Sequence, residues 1–309
     1  MIRVTNSTIF DRISSQLVAQ QSRLAITQEK ISSGKNYLRP SDGPDAVAAL
    51  DRLESTVNQS EQYLKNLGRV KDKLNFQETA IVSLNDELIR CKELVLQGAN
   101  GTLGSELRAT LAIELRSIYD SAIAIGNQKD LDGSYLFSGY KQGTPPFSSS
   151  LDPLVFGFDG MYAGDDESQR INIDQGYGIE IGMPGSALFS SFKDSDGNKT
   201  DIFSLLKSAI NGLENNDQDA IQKSIDDVNL SLTHVNIKLA QVGSKMNVVE
   251  NQVNVLEDRT TTLEMAISSI HDLDYVKAVT DLKNQSIALE AGQASFAQIA
   301  NLTLFNYIK

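Results

Sequence analysis

IQKSIDDVNLSLTHVNIKLAQVGSKMNVVENQVNVLEDRTTTLEMAISSI, residues 221 to 270, decides how this chain folds. Ile221, Ile225, Val228, Leu232, Val235, Leu239, Val242, Met246, Val249, Val253, Leu256, Thr260, Leu263, Ile267 and Ile270 step by four and three without a slip, and only Thr260 is polar. A 3.5-residue apolar period sustained this long predicts one helix with a coiled-coil seam. At 1.5 Å per residue it would run on the order of 70 Å, longer than a compact domain is wide, so its seam must lie against other long helices.

Upstream, Leu53, Ser60, Leu67, Leu74, Ile81, Leu88 and Val95 repeat every seven residues, with Leu50, Val57, Leu64, Val70, Leu84 and Cys91 completing the seam. Gln97-Gly98-Ala99-Asn100-Gly101 ends that helix, and Ser105-Glu106 opens another with Leu107, Leu111, Leu115, Ile118, Ala122 and Ile125 on one face. The fold expected is mainly α: a long antiparallel helical bundle of residues 43–139 and 198–270, built from both halves of the chain.

Residues 140–197 belong to another class of structure. Ten of the 21 glycines and four of the six prolines fall between Gly139 and Gly197, together with Tyr140, Phe147, Phe156, Phe158, Tyr162, Tyr177, Phe189 and Phe192. Ile171 and Ile173 alternate with Asn172 and Asp174, then Ile179 and Ile181 with Glu180 and Gly182, which predicts a β-hairpin. This small β-rich insert is either a domain on its own aromatic core or a lobe docked on its neighbours.

The two ends, 1–42 and 271–309, form a third region of coiled-coil arms. Phe10, Leu17, Leu24 and Ile31 repeat at seven, but the companion positions Gln20 and Thr27 are polar. Leu282, Leu289 and Phe296 repeat at seven with companions Gln285 and Gly292. Ile13 on the first arm, and Ile299 and Leu302 on the last, extend the apolar set that would carry assembly. Burying each such side chain is worth ~2 kcal/mol, whereas fixing each backbone residue costs ~1–2 kcal/mol. The arms are therefore expected to be disordered in a monomer and helical once further partners cover them. Gly34 suits the end of the first arm, Pro40 prevents simple continuation, and Ser41 or Asp42 with Pro44 restarts a helix.

Composition argues against several functions. With 28 basic against 40 acidic residues the net charge is −12, which disfavours nucleic acid and anionic membranes. The acid lies in the body, since residues 1–40 carry six basic and two acidic side chains. The last uncharged run, Ala291 to Ile308, is broken throughout by Gln, Ser, Asn and Thr and is no membrane span. Met1 to Ser7 lacks the apolar core of a secretory leader.

No catalytic, cofactor or metal site is expected. Cys91, the only cysteine, falls on an apolar stripe as a small hydrophobe. His234 and His271 are 37 residues apart on one helix and cannot share a metal. Gly176-Tyr177-Gly178 has the look of a phosphate loop but lacks the third glycine and following helix, so a hairpin turn is the expectation. Asp194-Ser195-Asp196-Gly197-Asn198 has a calcium-loop flavour, but Lys199 and Leu205 stand where Gly and a bidentate Glu are needed. A polar turn that caps a helix from Asp201 or Ile202 is the plainer account, and no Ser or Cys carries a local nucleophile signature.

Several stretches resemble the flagellins and their hook-associated relatives. These are Ile31-Ser32-Ser33-Gly34-Lys35 followed by Leu38-Arg39-Pro40-Ser41-Asp42-Gly43-Pro44, the turn Gly98 to Thr102, Gly133-Ser134-Tyr135-Leu136-Phe137-Ser138-Gly139, and Ser295-Phe296 through Leu304-Phe305-Asn306-Tyr307. The resemblance covers about residues 1–150 and 200–309 and leaves the insert unassigned. It implies a flagellin-like fold and a structural, non-enzymatic role, with the Tyr135 to Gly139 stretch and the ending closer to a junction between hook and filament than to a filament flagellin. It further implies copies of the chain in a tube, a hook-associated protein on one side, flagellin on the other, and an export chaperone at the C-terminal arm. The implied location is the extracellular flagellum, reached by type III export without a cleaved leader. The alternatives are a filament flagellin, a coiled-coil scaffold or chaperone unrelated to flagella, and an enzyme with its site in the insert, which would need a convergent polar cluster that the sequence does not show.

Overall fold

In the computed structural model the described residues are 2–148 and 162–305, with side chains described at 8, 10–148 and 162–298. Phe156 and Phe158, and the side chains of Ile299 and Leu302, lie outside that set. The fold is mainly helical. In chain order the described helices are α1 (Ile2–Ser33), α2 (Pro44–Gly98), α3 (Ser105–Gly126), α4 (Gly185–Phe189), α5 (Ile202–Glu214), α6 (Gln218–His271) and α7 (Tyr275–Phe305). The strands are β1 (Gln169–Asp174), β2 (Tyr177–Ile181), β3 (Phe192–Lys193) and β4 (Lys199–Thr200). Contacts divide them into two compact units, residues 1–60 with 258–309, and residues 61–257.

The larger unit is organised by the two seams. On α2, Leu67, Val70, Leu74, Ile81, Leu84, Leu88, Cys91 and Val95 are fully buried. On α6 the lines are unequal: Ile221, Val228, Val235, Val242, Val249 and Leu256 are buried, whereas Leu232, Leu239, Met246 and Val253 are half-buried beside them. The deeper line is mostly valine, whose short stiff side chain lets helices approach closely. Gln77 interrupts the buried line of α2 at 1% exposure and donates from Nε2 to the Leu136 carbonyl at 3.3 Å, which ties the helix to the loop before the insert.

Helix α3 packs on α5, where the regular apolar face of Leu111, Leu115, Ile118 and Ala122 meets Ile202, Leu206, Ala209 and Leu213 in the same core. Asp201 caps α5, its Oδ1 accepting from the Ser204 amide at 2.8 Å, as the sequence turn predicts. β1 and β2 form the expected antiparallel hairpin, pairing Ile171 with Ile179 and Gln169 with Ile181, with a bulge near Asp174. A second short antiparallel pair joins β3 and β4 through the Asp194 to Asn198 turn, in which Asp194 Oδ1 accepts from the amides of Asp196 and Asn198.

Of the two alternatives for the insert, the docked lobe is the one observed. Phe189 stacks on Phe203 of α5 at 5.2 Å and Phe147 meets the same ring tilted at 5.1 Å, Phe137 meets Phe189 at 5.8 Å, and Tyr119 of α3 meets Phe203 at 5.9 Å. The Tyr162 hydroxyl lies 3.0 Å from the Phe137 carbonyl and accepts from the Gly185 amide at 3.2 Å. Aromatic side chains bury large areas, so the insert and the helices share one core.

Candidate assembly arms

The smaller unit is built around α1 and α7, which pack together antiparallel, with residues 10, 17 and 27 meeting 296, 292 and 285. The register is fixed at four levels. Phe10 meets Phe296 with ring centroids 4.7 Å apart. Leu17 fills the space left by Gly292, where an added Cβ would come within 3.0 Å of Leu17 Cδ2. Thr27 Oγ1 donates to Gln285 Oε1 at 3.0 Å, and also lies 3.0 Å from the Arg23 carbonyl. At the end of α1, the Leu273 amide donates to the Gly34 carbonyl at 2.9 Å and the Asn36 amide to the His271 carbonyl at 2.8 Å.

Gly34 stands at φ +72°, the left-handed conformation that ends α1 and that residues with a Cβ disfavour. Arg39 and Leu38 donate their amides to Asp42 Oδ2 in the short 3₁₀ turn Pro40–Asp42, after which α2 starts at Pro44. The proline and glycine signals between arm and body thus act where the sequence places them.

One polar companion position on each arm faces the other. Thr27 pairs with Gln285, and the missing side chain of Gly292 accommodates Leu17, so the thin seams are complementary rather than merely poor. Sequence reasoning identified these positions as defects, because neither arm alone shows what the other presents.

Pairing leaves the arms under-covered. No described residue of α1 is buried, and in α7 only Ala278 is among the described residues. Ile13, Leu17, Leu24, Ile31, Leu282, Leu289 and Phe296 are half-buried, and Phe10 is exposed. A second set, absent from the heptad reading, is exposed: Val18, Ile26, Val276, Val279 and Ile287, from 47% at Ile26 to 81% at Val276. Val276 and Ile287 are eleven residues apart, three helical turns, so they lie on one line of α7; that spacing is the signal a strictly seven-residue search passes over.

At the end of the larger unit, Arg108 of α3 is 5% exposed and was not singled out by its sequence context. Its Nε donates to the Gly98 carbonyl at 2.8 Å, and its Nη2 to the Asn100 carbonyl at 3.0 Å and to Gln218 Oε1 at 2.9 Å. Nη1 donates to Asn216 Oδ1. A guanidinium on the last carbonyl of α2 and on the turn that follows satisfies groups that a helix end leaves free and opposes its partial negative charge.

Cys91 is buried and its thiol is pushed up to about 12 by burial, as suits an inert core residue. His234 is half-buried, stacked on Phe192 at 4.9 Å with Nε2 3.1 Å from the Ala187 carbonyl, and burial and then Lys238 hold its imidazole below the ordinary value. Among the described residues no group of three His, Cys, Asp or Glu could hold a metal, and no helix is long and apolar enough to cross a membrane.

Comparison with known proteins bears on the arms and the bundle together. The pattern of the bacterial flagellin N-terminal helical region matches residues 6–142, and that of the bacterial flagellin C-terminal helical region matches residues 223–308. The chain is 29% identical over 219 residues to flagellar hook-associated protein 3 of Escherichia coli, covering 66% of this chain and 67% of that one. It is 25% identical over 320 residues to flagellar hook-associated protein 3 of Salmonella typhimurium, covering 95% and 98%. In fold it resembles the crystal structure of hook-associated protein-3 from Legionella pneumophila, with a TM-score of 0.65 at 16% identity over 71% of this chain and 98% of that one.

Proposed function

Because this chain belongs to the bacterial flagellin family, we propose that it is the structural subunit at the junction between flagellar hook and filament. The observation that carries the reading is the arm pair, whose two helices match one another in register yet leave nearly every apolar side chain half-covered or exposed. Copies of the chain in a tube supply the missing cover. In the free monomer the arms are disordered, and assembly drives their folding as each subunit gains apolar partners. Contacts between different patches on successive copies build a tube, whereas self-complementary patches would close a dimer.

The subunit's neighbours are a hook-associated protein on the hook side and flagellin on the filament side. It reaches the extracellular flagellum by type III export, with an export chaperone on its C-terminal arm. It is not an enzyme and takes no cofactor.

Replacing Leu289 and Phe296 with Asp tests the reading. Carboxylates buried without counter-charges on assembly carry a penalty of about several kcal/mol, but they stay hydrated on an uncovered monomer arm. The double variant is expected to be lost from the hook tip with little change in melting temperature. Secreted protein is measured in the medium, and purified variant is added to exposed hooks, so that failed export is separated from failed assembly. Normal filament growth would sink the proposal. Hooks without filaments, with flagellin lost to the medium, is the expected deletion phenotype, whereas long filaments grown by the purified chain alone would favour a filament subunit.

A further inference from the structure

We propose that the turn between α2 and α3 is a self-modifying site, where the backbone nitrogen of Gly101 attacks the side-chain amide of Asn100 and converts it to aspartate and isoaspartate. Asn-Gly occurs at two places in the chain, Asn100-Gly101 and Asn211-Gly212. The second lies inside α5 with Gly212 buried, so its amide is held in the helical ladder. The first lies in an exposed turn, and the space a Cβ of Gly101 would take is open. The turn has no side chain on Gly101 to shield it, and both residues are open to water.

The surrounding hydrogen bonds are aimed at the two carbonyls that matter. Asn100 Oδ1 accepts from the Thr102 amide at 3.1 Å and from Thr102 Oγ1 at 2.9 Å. When the Gly101 nitrogen adds to Cγ, negative charge develops on Oδ1, where these two donors already point. The Asn100 backbone carbonyl, which is conjugated with the attacking nitrogen, accepts from the Leu103 amide and from Arg108 Nη2, both at 3.0 Å. A cationic donor there withdraws charge from the Gly101 amide and favours loss of its proton.

The steps balance without any oxidant or cofactor. Solvent base removes the Gly101 amide proton, the N–Cγ bond forms, and the Cγ–Nδ2 bond breaks as ammonia leaves with a proton. The resulting five-membered imide is opened by water. Addition at Cγ returns the normal backbone as aspartate, whereas addition at the backbone carbonyl leaves the chain running through the side chain as isoaspartate. Either product places a carboxylate beside Arg108, whose four hydrogen-bond acceptors are otherwise neutral oxygens.

The test ages the purified full chain at mildly alkaline pH and follows peptide 97–105 by mass spectrometry, with a synthetic peptide of the same sequence as reference. The expected result is accumulation of aspartate and isoaspartate at Asn100 faster than in the peptide, none at Asn211, and cleavage after Asn100 by hydroxylamine, which traps the imide. Thr102→Ala keeps Asn-Gly but removes the hydroxyl donor, and is expected to slow the reaction by about tenfold, less than the ~10²–10³ that losing a donor costs an enzyme's oxyanion hole, because the Thr102 amide still donates to Oδ1. Circular dichroism checks that this variant retains the parent's fold. A folded chain that reacts no faster than the peptide, or a folded Thr102→Ala variant that reacts as fast as its parent, would overturn the proposal.

Discussion

Gly292 is where a single side chain should separate helix propensity from assembly. A Cβ there would stand 3.0 Å from Leu17 Cδ2, inside the ~3.5–4.0 Å at which carbon atoms attract. Gly292→Leu adds three more carbons at the same place. Overpacking of this kind costs ~1–3 kcal/mol, while replacing glycine in a helix returns ~0.5–1 kcal/mol. The net effect on pairing is a loss of about 1–2 kcal/mol, or a factor of ~5–30 in the pairing constant. The two effects have opposite signs in different measurements. Helicity of the unassembled arm should rise, while junctions scored by electron microscopy, normalised to secreted subunit, should fall. Leu17→Ala in the same chain moves the bulk to the other helix and should restore junctions, with a coupling of at least ~0.5 kcal/mol between the two sites. If Gly292→Leu assembles like its parent, and Leu17→Ala alone is no less tolerated than in the double variant, the register described for α1 and α7 is not the one that assembles.

Arg108→Ala strips four acceptors of a charged donor at the end of α2, a loss of about 3–5 kcal/mol and a fall on the order of 10 °C in melting temperature for a unit of this size. Arg108→Lys should rescue little, since one ammonium cannot reproduce the planar fork. Phe203→Ala opens the ring cluster shared by α5 and the insert and should cost about 3–5 kcal/mol by denaturant melts. Deletion of residues 141–195 should likewise keep far-ultraviolet helix signal while losing near-ultraviolet signal and a sharp melt. His234 supplies a pH dependence: its folded value lies below the ordinary 6.5, so the unfolded chain takes up the proton first as pH falls. Its contribution is fully present above 6.5 and declines as pH drops toward the folded value; His234→Phe should flatten that part of a pH series of melts.

The long helices were legible because a heptad line is local information. The turn residues were legible for the same reason, with Gly34, Pro40, Pro44 and Asp201 each acting at the predicted place. What one strand of text hides is the inequality of the two lines of α6, since Val235 and Leu239 look alike until the third neighbour is known. The candidate arm residues show in the sequence only as apolar repeats, and Thr27 with Gln285 and Leu17 with Gly292 acquire meaning only in pairs. Arg108 was missed because its acceptors come from residues 98, 100, 216 and 218, and burial of a charge is a property of that convergence. The insert's wealth of aromatics shows in the sequence, whereas the attachment of Phe147 and Phe189 to Phe203 is a property of the fold.

Cys91 has a practical consequence of another kind. It is the only sulfhydryl in the sequence, it is sealed in the core, and with its thiol at about 12 it carries almost no thiolate near neutrality. A cysteine introduced anywhere on the surface, for instance at exposed Thr110 of α3, is therefore the sole target of a maleimide dye or spin label in the native chain. Growing structures can be tagged one chosen position at a time, with the parent sequence serving as its own dark control.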